Sequence, residues 1–250
     1  MSPLALQFQD LRFREVPARA LPAKGLLVLV HGRTGNLRVL EFFAKRTGLD
    51  TMAKLLIEAP YADKRDDQRA LRNDQADERH DQRNEAYSWY LRSTDREASP
   101  ETGLRPIIDG QLQDSRRRLS ALVDALLDAG WASTQIYWLG FSQGSAMILD
   151  LALRDSRRFG GFVCVSGFCL VESRDSTLFS PTAWDQKILI THGSRDEIVT
   201  LADAERSYDF LRSLKIPFTW KVFDKPHSFK LKDELPLIES QLLAWMHNQE

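Results

Sequence analysis

The sequence is poor in cysteine, with Cys164 and Cys169 the only two in 250 residues. Both lie in apolar stretches, so they build no disulfide framework. An excess of charge of either sign is also missing: 34 Lys and Arg stand against 35 Asp and Glu, a net −1. A nucleic-acid partner would need a clustered basic face, which this balance gives no sign of. Long hydrophobic runs are absent too. The longest strongly apolar run, Leu26 to Val30, falls far short of the roughly 20 residues of a membrane span. The opening MSPLALQFQDLRFREV has no basic start followed by a sustained apolar stretch, so no secretory leader is expected. A reduced, cytoplasmic setting is the default that these absences leave.

What is present is ordinary for a soluble globular chain, 43% apolar and 28% charged. A chain of this length buries about 70–75% of its unfolded surface and needs no staples. Neither an internal repeat nor a Pro/Gly/Ser linker interrupts residues 1–250, which are therefore expected to form one domain.

Alternation of apolar and polar residues from Leu6 to Val16 suggests a half-exposed edge strand. Lys24–Val30 reads as a strand covered on both faces. Asn36 opens a helical pattern with Leu37, Leu40, Phe43 and Ala44 on one side. Leu55–Ala59 reads as the next buried strand, stopped by Pro60. Residues 63–85 then break the pattern: six Lys or Arg and eight Asp or Glu accompany one large apolar residue, Leu71. Such a stretch contributes little core and reads as a solvated excursion, with a partner surface as the alternative. Packed structure resumes at Tyr87, Trp89, Tyr90 and Leu91.

Pro106–Gly130 carries a helical stripe of Ile108, Leu112, Leu119, Leu122, Val123 and Leu126, with proline near its start and glycine past its end. Arg116, Arg117 and Arg118 fall off that stripe and read as a solvated face. Beyond it come a strand at Ile136–Leu139, a helix at Ser145–Leu153, and strands at Phe162–Val165 and Ile188–Thr191. A helix over Leu201–Leu214, a strand at Phe218–Phe223 and a helix at Leu235–Met246 complete the chain. Strands separated by helix-length segments imply a mostly parallel, doubly wound α/β sheet with helices on both faces.

Gly140-Phe141-Ser142-Gln143-Gly144 is a G-x-S-x-G string between a strand pattern and a helix pattern. A serine on a tight strand-to-helix turn is strained, and bulky neighbours two residues away would clash with it. Such a serine needs a general base, itself oriented by a carboxylate. Three histidines follow Ser142. His247 lies on the polar side of the last helix, and His192 precedes any suitable acid. His227, in the loop after Phe218–Phe223, is where the base belongs. Asp196 follows the strand Ile188–Thr191 at the carboxyl edge of the sheet, where α/β proteins bind ligands; Glu197, Asp203 and Asp175 compete with it. Two oxyanion donors are expected from main-chain N–H groups, Gln143 after the nucleophile and Arg33 in the loop after the first buried strand. The Arg33 side chain points at an acidic substrate or at solvent, solvent being favoured.

Together these residues resemble the phospholipase/carboxylesterase group of the α/β-hydrolase superfamily, which includes acyl-protein thioesterases and small bacterial carboxylesterases. The likeness is carried by His31-Gly32, Ala59-Pro60, Trp89-Tyr90, Gly140-Phe141-Ser142-Gln143-Gly144, His192-Gly193 with Asp196 and Val199, and His227-Ser228. It implies an α/β-hydrolase fold and a cofactor-free serine esterase with Ser142 as nucleophile, His227 as base and Asp196 as acid. The chain departs from the family at Arg33-Thr34-Gly35, where Leu-Gly-Asp is usual. It departs again at Pro226, in place of glycine, and at Ser145, in place of a second glycine after Gln143. These departures bear on substrate identity, acyl-protein thioesterase activity above all.

The expected reaction is hydrolysis of a small-molecule carboxylic ester or thioester, with Phe168, Leu170 and Trp89 as candidate substrate contacts. Homo-oligomerisation stays open. Alternatives are a peptidase or lactonase on the same fold, and a catalytically silent hydrolase used as a binding module.

Overall fold

The protein is described here from a computed structural model covering residues 10–63, 85–99 and 104–247. Nine strands carry the scaffold among these residues: β1 (Phe13–Val16), β2 (Gly25–Val30), β3 (Met52–Ile57), β4 (Tyr61–Ala62), β5 (Tyr87–Ser88), β6 (Ile136–Phe141), β7 (Gly161–Val165), β8 (Ile188–Gly193) and β9 (Thr219–Phe223). Five α-helices accompany them: α1 (Leu37–Ala44), α2 (Gln111–Asp128), α3 (Gln143–Arg154), α4 (Leu201–Ser213) and α5 (Glu234–His247).

Seven strands form one sheet in the order β1-β3-β2-β6-β7-β8-β9. Only β1 runs antiparallel, pairing Phe13 with Ile57 at the edge. The inner parallel strands β2, β3, β6, β7 and β8 are mostly apolar and buried on both faces because both are covered, whereas the edge strand β9 is largely exposed. Leu26, Val28 and Val30 of β2 join one core with α2, α3 and α4, while Leu27 and Leu29 join the other with α1 and α5. Consecutive side chains of a strand point to opposite faces, so an uninterrupted aliphatic run serves both cores.

Topology places the site. From β2 the chain crosses to β3 on one side, whereas from β6 it crosses to β7 on the other. The loops leaving adjacent β2 and β6 therefore diverge, opening the crevice that α/β sheets use for ligands. The packing there is close. A Cβ added at Gly144, in the first turn of α3, would land on the backbone oxygens of Val30 and His31. One at Gly140 would lie 2.6 Å from the Gly144 carbonyl.

Several sequence expectations shift. The second buried strand begins at Met52 and ends at Ile57, three residues earlier than expected at its start, because Met52 and Ala53 also pair with β2. Ile108 lies outside α2 and is exposed; its N–H bonds Leu91 O, and Gly110 in the left-handed region starts the helix instead. Arg116 is not on a solvated face: its guanidinium makes a bidentate pair with buried Asp150, at 2.9 and 2.7 Å. Residues 6–9 of the first expected strand and 64–84 of the charged excursion lie outside the described residues. The excursion's two ends, however, form an unforeseen antiparallel pair, Tyr61 opposite Ser88 and Ala62 opposite Tyr87.

Gly144→Ala is expected to cost about 3 kcal/mol, since overpacking against backbone cannot be relieved by a rotamer change. For a chain of this size that is a fall of roughly 6–12 °C in Tm. An unchanged thermal melt would mean that α3 does not sit on the end of β2 in this way.

Candidate active site

Ser142 stands between β6 and α3 at φ 51°, ψ −116°. An L-residue there is strained by about 1–3 kcal/mol and holds the position only when its surroundings over-determine it. They do so here. The Ser142 N–H donates to Val165 O at 2.9 Å, its carbonyl accepts from Ala146 N at 3.1 Å, and Gly140 and Gly144 leave room on both sides. The side chain is thereby held at the carboxyl edge of the sheet, against Gly32 of the loop after β2.

The expected acid and base are in contact. Asp196 Oδ2 lies 2.7 Å from His227 Nδ1, and the carboxylate is fully buried. Its other oxygen accepts from the N–H groups of Ile198 and Val199, at 3.0 and 2.9 Å. One aspartate thus both builds its turn and fixes the imidazole. With Nδ1 engaged, Nε2 is the nitrogen left to face outward. The imidazole rests 4.9 Å from the ring of Phe141, the residue that precedes the serine, and no hydrogen bond joins it to the Ser142 hydroxyl among the described residues.

The competing acids are engaged elsewhere. Asp203 accepts from Thr200 and pairs with Arg206 near the start of α4. Asp175 caps the turn Ser176–Leu178, and Glu197 is exposed. His192 is wholly buried within β8. Its Nε2 lies 2.8 Å from Val199 O and 3.5 Å from Asp196 Oδ2, and the ring stacks on Trp220. Burial lowers its pKa, so it is a neutral ring packed behind the acid. His247 is exposed at the end of α5.

The loop after β2 is braced from three directions. His31 accepts from Ala59 N at 3.0 Å through Nε2 and donates to Gly32 O at 2.7 Å through Nδ1, a pattern that requires the neutral imidazole. Burial pushes its pKa down to about 4. Thr34, at φ 55°, donates its N–H to Ser88 Oγ at 3.1 Å, and that hydroxyl donates to Asp63 at 2.6 Å. The Arg33 side chain is mostly exposed, as the solvent reading has it, and its Nε donates to Asp63 at 3.1 Å. The N–H groups of Arg33 and Gln143 have no acceptor among the described residues.

Two of the expected substrate contacts are corrected. Trp89 is 0% exposed and spends its indole N–H on His31 O, while Leu170 is 2% exposed within the core. Neither presents a surface to a ligand. Phe168 is half-buried against the same core. The sequence reading also missed the Gln143 side chain, whose amide accepts from Trp89 N and donates to Tyr90 O, both at 2.8 Å. The string G-x-S-x-G leaves that position unspecified, so no local pattern marks it.

A strained serine after β6 and a carboxylate–imidazole pair after β8 and β9, at the carboxyl edge of one mostly parallel sheet covered by helices on both faces, fit the α/β-hydrolase architecture. Comparison with known proteins agrees. Residues 82–243 match the phospholipase/carboxylesterase family, and the chain belongs to that family. Acyl-protein thioesterase 1 of Gibberella zeae is 26% identical over 130 residues, 51% of this chain and 55% of that protein. A probable SOBER1-like carboxylesterase of Arabidopsis thaliana is 26% identical over 149 residues, 60% of this chain and 57% of that one. The chain thus spans about half the length of the curated relatives it matches. The crystal structure of Arabidopsis thaliana SOBER1 superposes with a TM-score of 0.69 at 21% identity, over 89% of this chain and 99% of that one.

Because His31 folds as a neutral ring, stability is fully present above its unfolded pKa near 6.5. It is lost as pH falls from there towards 4, where the unfolded chain binds the extra proton first. Between pH 7 and pH 5 urea unfolding should register a loss of about 2 kcal/mol from this residue. His31→Gln, although less stable at pH 7, should show a correspondingly flatter pH dependence. An identical slope in both proteins would contradict the assignment.

Proposed function

We propose that this chain hydrolyses carboxylic esters, thioesters included, through an acyl-enzyme on Ser142. The observation that carries the reading is the 2.7 Å contact between buried Asp196 and His227 Nδ1. It holds the tautomer in which Nε2 is the proton acceptor, next to a serine fixed at the sheet edge.

In this mechanism His227 Nε2 takes the Ser142 hydroxyl proton as Oγ attacks the acyl carbon. The carbonyl oxygen becomes an oxyanion and is received by the unoccupied N–H groups of Arg33 and Gln143. Such donors are worth roughly 3–4 kcal/mol each in the transition state, because they are aimed before the charge develops. Collapse expels the alcohol or thiol, which leaves with the proton from His227. Water then attacks the acyl-enzyme, giving up a proton to the same nitrogen, and the acid departs as Ser142 regains its hydrogen. Asp196 stabilises the imidazolium throughout without being protonated itself.

The chemistry calls for no metal or cofactor, and a small acyl substrate is the partner it implies. No described helix is long and apolar enough to cross a membrane. We further propose that residues 1–250 act as one domain in the cytoplasm. Peptide and lactone substrates use the same machinery, and a panel including both separates these activities from ester hydrolysis.

Turnover of p-nitrophenyl esters of graded chain length is the direct test. Ser142→Ala should lower kcat/KM by about 10³-fold or more, and Asp196→Asn by roughly 10³–10⁴-fold through the wrong imidazole tautomer. Equal rates in wild type and Ser142→Ala would end the proposal.

A further inference from the structure

Behind His227 lies an ion pair that the mechanism does not use. Lys225 Nζ meets Glu234 Oε1 and Oε2 at 2.6 and 2.7 Å, with the two side chains 2% and 0% exposed. Lys225 sits two residues before the histidine, and Glu234 opens α5. The pair therefore closes the segment between them into a ring, with His227 inside it. Glu234 adds a second tie within that ring by accepting Lys230 N at 2.9 Å through Oε2. Lys225 is anchored on its other side by main chain. Its carbonyl accepts Arg195 N at 3.1 Å, next to Asp196, and packs against Gly193, where no Cβ would fit. The same ring carries Phe229, whose side chain lies 5.1 Å from Phe141 and 4.7 Å from Phe43.

Burying a full positive and a full negative charge is expensive, and an apolar pair of the same volume would serve stability as well or better. What the ion pair supplies instead is direction. Separating the buried ammonium from its carboxylate would leave each charge unpaired in the core, and here that tie spans the loop bearing His227, through the Lys225 carbonyl the turn bearing Asp196, and the first residue of α5. An apolar pair would let the loop settle over a range of positions.

We propose that Lys225 and Glu234 are a positioning pair, fixing the imidazole of His227 relative to Asp196 and Ser142 without touching substrate. The inference rests on the ester-hydrolase reading and deepens it by adding two residues to the machinery. It also accounts for Pro226, which stands where the family usually has glycine: with the preceding residue pinned, the fixed φ of proline narrows the approach to the histidine further.

The test uses two variants of the full chain. Lys225→Met/Glu234→Leu replaces the pair by apolar groups and should fold with little change in Tm. Glu234→Gln keeps an acceptor for the ammonium and serves if the double variant does not fold. In each folded protein kcat and KM for a p-nitrophenyl ester are measured separately. Alongside them, proton NMR of the His227 Nδ1–H bonded to Asp196 reads the imidazole whether or not turnover occurs. The double variant should lose tenfold or more in kcat with KM within twofold, and its downfield Nδ1–H resonance should broaden or move. Glu234→Gln should show the same change at severalfold. A folded variant with wild-type kcat and a wild-type resonance would overturn the positioning role. Should wild type itself show no Ser142-dependent turnover, the hydrolase reading fails instead, and the resonance alone decides the role of the pair.

Discussion

Ser142 occupies a backbone conformation that L-residues avoid, and much of the surrounding architecture is what that conformation requires. Gly140 and Gly144 are without side chains because any Cβ would meet backbone within about 2.6 Å. The α3 helix is seated on the end of β2, so its first turn and the loop after β2 share one narrow space. The strain is local and modest, on the order of 1–3 kcal/mol. Two buried cores on a seven-stranded sheet absorb it without difficulty. The result is a hydroxyl held at the switch point, at the sheet edge where the loops bearing Asp196 and His227 leave β8 and β9.

Around that serine, polar groups are committed in pairs rather than left to water. His31 is held neutral by burial and spans Ala59 and Gly32. Gln143 clamps the Trp89–Tyr90 backbone with both ends of its amide. Asp63, through Ser88 and Arg33, ties the loop after β2 to the small β4–β5 ladder at the base of the charged excursion. Each is a case of buried or half-buried polar atoms being satisfied because leaving them unpaired would cost about 1–3 kcal/mol. The consequence for function is rigidity: the N–H groups proposed as oxyanion donors belong to segments fixed from several sides.

The sheet was legible in the sequence because short apolar runs such as Leu26–Val30 and Ile136–Leu139, alternating with helix-length segments, fit doubly covered strands of an α/β rhythm. Ser142, His227 and Asp196 could be named together because G-x-S-x-G marks a strand-to-helix turn and an α/β-hydrolase fold places an acid and then a histidine after it, and the structure brings Asp196 and His227 into contact. Boundaries were less so. Ile108 fits the α2 stripe by spacing, but Gly110 adopts the left-handed conformation that sets the helix start, and periodicity does not carry that information. Trp89 and Leu170 looked like substrate contacts because large apolar residues near a site serve as lining and as core alike; only packing separates the two. Arg116 illustrates the converse. An arginine run suggests a solvated face, and while Arg154 lies one turn along α3 from Asp150, nothing local shows that Asp150 also pairs with Arg116.

The most direct test of the account is the structure of the protein after reaction with a fluorophosphonate ester, which mimics the tetrahedral intermediate. The phosphorus should be bonded to Ser142 Oγ, with its oxygen about 2.7–3.1 Å from the N–H groups of both Arg33 and Gln143 and His227 Nε2 turned toward the adduct. A protein left unmodified at Ser142, or an adduct whose oxygen points away from both donors, would contradict it.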